Sequence, residues 1–168
     1  MKLEAAQSLV KDLGKELGGT GTEYQLDDHG EALLVMDDNL PLLIRHVDEV
    51  MVLAVIVAQG VDGQDPTLFG TLMDYQFMGL RTNGFGLSWN PSTECLQLSA
   101  HLRGEPSVTD LATLLSTILT TGMEVRDELA TLIAFRRSLQ AEMAADDAAD
   151  GRAEPVALQG SSFASIRG

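Results

Sequence analysis

The sequence predicts an α+β domain, a twisted antiparallel sheet of five strands with three helices in the order α-βββ-α-ββ-α. Three observations predict it. Apolar residues recur at helical steps in three separate regions and change to strand-like runs in the two regions between them. The links within each group of strands are short and polar, as antiparallel neighbours require. The one long link between strands carries a helical pattern of its own.

Leu3, Ala6, Leu9, Val10, Leu13 and Leu17 alternate with Lys and Glu at three- and four-residue steps, which describes an amphipathic helix of about four turns. Gly18-Gly19 ends it. Strands follow at Ala32 to Met36, Leu42 to Val47 and Val50 to Ala58, separated by Asp37-Asp38-Asn39 and by Asp48-Glu49. Val50 to Ala58 is apolar on both faces and belongs in the interior of the sheet. In the next loop Asp65 is placed to cap a helix whose first residue is Pro66. That helix is expected to reach about Gly79. It carries Leu68, Phe69, Leu72, Met73, Gln76 and Phe77, with Tyr75, Met78 and Leu80 around much of its circumference. A short helix so apolar is either buried or meets another chain.

"GFGLSWNPSTECLQLSAHL" reads as a hairpin, with Phe85, Leu87 and Trp89 on one face of the first arm and Leu96, Leu98, Ala100 and Leu102 on one face of the second. Asn90-Pro91-Ser92-Thr93 supplies the turn. Ser107-Val108-Thr109-Asp110 resembles a capping box opening the third helix, and Leu111, Leu114, Leu115, Ile118, Leu119, Val125, Leu129, Leu132 and Ile133 keep its period. Thr120-Thr121-Gly122 is expected to weaken or bend its middle. The expected organisation is a domain over residues 1–145 and a mostly disordered tail over 146–168, where the text turns small, polar and Gly-rich.

At 168 residues and 45% hydrophobic content, the chain has the size and the apolar content for one core. A formal charge of −14 argues against nucleic acid and anionic lipid as partners, because both demand Lys and Arg. Val50 to Ala58 is far short of the ~20 residues a membrane helix needs. The first residues lack the continuous apolar core of a secretory signal, and a single cysteine, Cys95, forms no internal disulfide; both point to the cytoplasm.

Chemistry is harder to find. His29, His46 and His101 are far apart and outside any metal-ligand spacing. Asp27-Asp28-His29-Gly30-Glu31 is acidic but lacks the ligand loop of an EF-hand and reads as an exposed turn. Gly84-Phe85-Gly86 runs from helix into strand, the reverse of a phosphate loop. Cys95 has no base beside it in sequence. No catalytic residue, cofactor or metal is expected.

The order of elements, with "PLLIRHVDEVMVLAVIVAQ" for the middle strands and "LFGTLMDYQFMGLRTNGFGLSWNPSTECLQLSAHLRG" for the second helix and hairpin, resembles the class I type III secretion chaperones, the family named after the chaperone of the translocated intimin receptor. The resemblance covers about Met1 to Leu139. It implies a cytoplasmic homodimer, using neither ATP nor metal, that binds a non-globular N-terminal segment of a secreted effector or translocator and keeps it competent for export. On that reading the client-binding candidates are the strand faces of Leu34 and Met36 and of Leu42 and Ile44, with the first helix near Leu3 and Leu9; each is core by default. The dimer candidates are Leu72, Met73, Gln76 and Phe77 of the second helix and Trp89 of the hairpin, the alternative being Trp89 in the monomer core. Two other classes stay open: a regulatory or interaction domain of the same fold outside secretion, and an enzyme with an unrecognised site.

Overall fold

The computed structural model describes residues 1–18, 24–36, 40–61 and 65–149. The elements are α1 (Leu3–Glu16), β1 (Glu31–Met36), β2 (Leu40–Val47), β3 (Val50–Ala58), α2 (Pro66–Gln76) followed by a 3₁₀ turn (Phe77–Gly79), β4 (Gly86–Asn90), β5 (Cys95–Leu102) and α3 (Val108–Ala149). Their order is the predicted one. Gly19, the turn 37–39, loop residues 62–64 and the tail from 150 onward lie outside the described residues. The chain divides into two compact units, Met1–Ile133 and Ala134–Gly168; the sheet and its core belong to the first. Residues 146–149, assigned to the tail from sequence, are helical. Ala144, Ala145, Ala148 and Ala149 keep helix propensity high through that acidic run.

The sheet runs β1-β2-β3-β5-β4 with every neighbouring pair antiparallel. β3 is therefore the central strand, which accounts for its apolar residues on both faces. It turns out of β2 through Asp48 and Glu49, whose φ values of 49° and 65° are those of the mirror-image turn that follows strand twist.

Cross-strand pairing puts Leu42 beside Val55, Ile44 beside Leu53, and Leu53 and Val55 beside Ala100 and Leu98, all on one face. That inner face takes Ala6, Val10 and Leu13 of α1, Leu68 and Tyr75 of α2, and Leu111, Leu115, Ile118, Val125 and Leu129 of α3 into a single core. The capping box is formed as expected. Asp110 N–H donates to Ser107 Oγ at 3.1 Å, and Ser107 N–H donates to Asp110 Oδ2 at 2.9 Å. At the start of α2, Asp65 Oδ1 accepts the Leu68 N–H at 3.4 Å.

The expectation of a weak point at Thr120-Thr121-Gly122 is corrected, because α3 continues through it. A Cβ on Gly122 would lie 2.8 Å from Val55 Cγ1 and 3.7 Å from Leu40 Cδ2. The glycine is where the helix touches the sheet, and its missing side chain lets the two approach.

Tyr75 joins α2 to α3. Its ring is 1% exposed, and its hydroxyl donates to the Glu128 carboxylate. The Arg81 guanidinium lies 5.1 Å from the ring centroid. Burial first, and then the neighbouring Glu128 carboxylate, push the phenol up to about 12.

Three outcomes follow from this packing. Gly122→Val lowers the unfolding free energy by about 1–3 kcal/mol in a urea titration. Gly70→Ala, where a Cβ meets nothing within 4 Å, is neutral or stabilising. The protonated Tyr75 contributes stability that is complete below the ordinary phenol value of 10 and is lost as pH rises through about 12. An absorbance titration shows a phenolate step near 12 that Tyr75→Phe removes; a step there surviving in the variant contradicts the assignment.

Candidate functional site

Each edge of the sheet is met differently by the rest of the chain. At β1, Asp27 closes one end. Its Oδ1 accepts the N–H of His29 at 2.9 Å and of Glu31 at 2.8 Å, and its own N–H donates to the Glu31 carbonyl at 2.8 Å. The Glu31 amide is the main reason its carboxyl is held below the usual carboxylate range. The His46 N–H donates to the Gly30 carbonyl at 2.8 Å. Antiparallel alternation from that bond turns the amide groups of Ala32, Leu34 and Met36 toward β2, and those of Leu33 and Val35 toward the open edge. Among the described residues no strand pairs with that edge.

The side chains of Leu33 and Val35 are 65% and 68% exposed. They stand on the outer face of the sheet, opposite the core. The same register places Pro41, Leu43 and Val47 of β2 and Val52 and Ile56 of β3 on that face, and Gln97, Ser99 and His101 of β5 beyond them. The outer face is therefore apolar over β1 to β3 and polar over β5. One ion pair interrupts it, Arg45 Nε donating to Glu31 Oε1 at 2.8 Å.

At β4 the edge is occupied by α2. The Leu87 N–H donates to Gln76 Oε1 at 2.6 Å, and Gln76 Nε2 donates to the Phe85 carbonyl at 3.4 Å. One side-chain amide thus takes two of the backbone groups that a strand partner would take. Between α2 and β4 lies a largely apolar cavity of about 370 Å³, lined by Leu68, Phe69, Leu72, Met73, Gln76, Leu87, Ser88 and Trp89. Phe69 and Met73 of its lining continue with Phe77 and Leu80 as an exposed row.

The dimer candidates from sequence separate on this geometry. Met73 and Phe77 are in the exposed row, whereas Leu72 is half-buried against the core. Both ends of the Gln76 amide are used inside the chain, on the Phe85 carbonyl and the Leu87 N–H. Trp89 is half-buried against the core, and its Nε1 donates to the Val61 carbonyl at 3.2 Å.

Among the client-binding candidates, Leu42 and Ile44 have no exposed area and are corrected to core. They share the inner face with α3, so a partner has no access to them. Leu34 and Met36 face the same way and are partly covered. Leu3 is half-buried. Leu9 is nearly buried, with one side at the floor of a cleft of about 710 Å³ under a rim that includes Glu4, Glu49 and Glu105.

Leu33 and Val35 were not among the candidates from sequence, and Phe69 and Leu80 entered there only as part of the apolar circumference of the second helix. The strand Ala32 to Met36 is apolar on both faces, and only its place at the sheet edge decides which face is open. The signal that existed was Asp27, four residues before Glu31, where a short acidic side chain can cap a strand end.

His29 and His101 are exposed. His46 Nε2 lies 2.8 Å from the Met1 carbonyl. Cys95 is buried with its Sγ 3.1 Å from the Thr93 carbonyl. Among the described residues no group of three His, Cys, Asp or Glu is placed to hold a metal, and no helix is long and apolar enough to cross a membrane.

Comparison with solved structures finds the same fold. A chain of the ExsC–ExsE complex matches with a TM-score of 0.63 and 18% identity, covering 75% of this chain and 94% of that one. A chain of the HopA1–SchA chaperone–effector complex matches at 0.57 and 18%, covering 74% and 95%. A third, from the heterodimeric ExoU–SpcU complex of the type III secretion system of Pseudomonas aeruginosa, matches at 0.51 and 14%, covering 75% and 95%. No curated protein sequence matches. The sequence model of the Tir chaperone protein (CesT) family matches residues 8–126, from α1 into α3 and across every strand of the sheet. The chain therefore belongs to the Tir chaperone protein (CesT) family.

Proposed function

We propose that this protein is a type III secretion chaperone, a cytoplasmic homodimer that binds a non-globular N-terminal segment of a secreted effector or translocator and keeps it export-competent, without catalytic turnover. Family membership supports the class, as does the chaperone–effector complex among the similar structures. The observation that carries the reading is the open edge of β1 beside the exposed Leu33 and Val35.

An extended client segment laid along that edge meets the N–H and C=O groups of Leu33 and Val35, and every second client side chain meets the outer face. Each backbone hydrogen bond is worth a net ~0.5–1.5 kcal/mol. Fully burying a Leu or Val side chain is worth ~1.5–3 kcal/mol. Fixing each client residue costs ~1–2 kcal/mol of backbone entropy. Two strand residues therefore do not hold a long segment alone. The client must also spread over the apolar outer face and the cleft beside α1, a contact that suits a chain with no fold of its own. The charge of −14 favours clients whose bound segment is basic and speeds their encounter at low salt.

For the dimer, Phe69, Met73, Phe77 and Leu80 supply an apolar row of the kind that a monomer rarely leaves in water. A two-fold contact of this row with its copy covers both rows at once.

Light scattering gives the mass of a dimer, and Met73→Glu with Phe77→Glu gives that of a monomer. Both side chains are exposed, so the fold survives the change. An undisturbed dimer moves the interface elsewhere.

The binding reading is tested by co-expression with N-terminal fragments of candidate secreted proteins, beginning with any encoded next to this chain. A stable complex forms, and Leu33→Asp with Val35→Asp weakens it by at least about tenfold, equivalent to ~1.4 kcal/mol. Full affinity in that double variant removes β1 as the client edge, and failure to capture any such fragment removes the chaperone reading.

A further inference from the structure

On α2, Tyr75 lies two residues after Met73, so at about 100° per residue it is on the opposite side of the helix, and Phe77 opens the 3₁₀ turn that continues α2. Its side chain is the largest that the core buries fully. At its tip it is joined to α3 by the bond from the phenol to the Glu128 carboxylate. Arg81, just after the 3₁₀ turn, completes the cluster. Its guanidinium is 5.1 Å from the Tyr75 centroid and 4.0 Å from the Glu128 carboxylate. On a neighbouring side of the helix the Gln76 amide holds the Phe85 carbonyl and the Leu87 N–H at the start of β4.

Apolar packing selects the rotation of a helix only through shape, because such contacts have no direction of their own. Directional bonds on two sides add to that constraint. Arg81 and Glu128 are each 61% exposed, so their ion pair by itself adds little to stability. Its geometric effect is larger, since it fixes where the acceptor of the phenol stands.

We propose that Tyr75, held by Glu128 and Arg81, is the positioning residue of the α2 self-association row, setting the rotation of α2 that turns Met73 and Phe77 outward. This rests on the reading of α2 as the dimer face. Tyr75 itself touches no second copy; it acts through the orientation of α2.

The test is a double-variant cycle read in the dimer dissociation constant by sedimentation equilibrium, with thermal unfolding recorded alongside. Tyr75→Phe, which removes only the hydroxyl, weakens the dimer by about tenfold. Glu128→Leu does the same, and the double variant is no weaker than either single one because both remove the same bond. Glu128→Gln, which keeps an acceptor oxygen, restores most of the affinity. Three results overturn the proposal: an unchanged dissociation constant with a lowered melting temperature in Tyr75→Phe, strictly additive effects in the double variant, or Glu128→Gln behaving as Glu128→Leu. The first leaves the dimer reading standing. A parent chain that is monomeric at every concentration removes that reading and the proposal with it. Glu128 is exposed, so its variants fold whatever the fate of Tyr75→Phe.

Discussion

An open antiparallel sheet has two edges whose backbone groups must find partners, and the handling of those edges organises this molecule. At β4 part of the solution lies inside the chain. The Gln76 amide takes the Phe85 carbonyl and the Leu87 N–H, and so ties α2 to that edge. At β1 the solution is partial. Asp27 satisfies Glu31 and stops there, leaving the groups of Leu33 and Val35 turned outward. The difference between an edge tied to a helix and one beside exposed Leu33 and Val35 separates the two roles proposed for the two sides of the sheet.

The same asymmetry holds across the faces. The inner face is committed to the core, with α3 so close that Gly122 meets Val55 without room for a side chain. The outer face carries apolar residues over three strands, and Leu33 and Val35 remain more than half exposed. A client strand beside β1 would complete the edge and cover part of that face in one event. A chaperone for unfolded segments is, on this view, a sheet that lacks one strand and part of one covering layer.

The element order was legible because each signal was local: the helical period from Leu3 to Leu17, the capping box at Ser107, and the hairpin with Pro91 at its turn. The central position of β3 was legible from apolar residues on both of its faces. Which face of β1 is open was not legible. Leu33 and Val35 are as apolar as Leu34 and Met36, and the choice between them rests on where α3 packs, a long-range fact. Leu42 and Ile44 were misplaced for the same reason. Gly122 read as a helix weakness because propensity is local, while the close approach to Val55 that requires it is not. In sequence Gln76 reads as an interface residue because a polar side chain on an apolar helix has two uses, and its partners Phe85 and Leu87 follow only from the register.

The central claim is that the open edge of β1 receives the client. The most direct measurement is amide hydrogen exchange at single-residue resolution, on the protein alone and bound to the leader segment of its client. The account predicts that the Leu33 and Val35 amides exchange fast in the protein alone and slow sharply on binding, while the Glu31 amide, already held by Asp27, changes little. Exchange at Leu33 and Val35 that is the same with and without the client would contradict it.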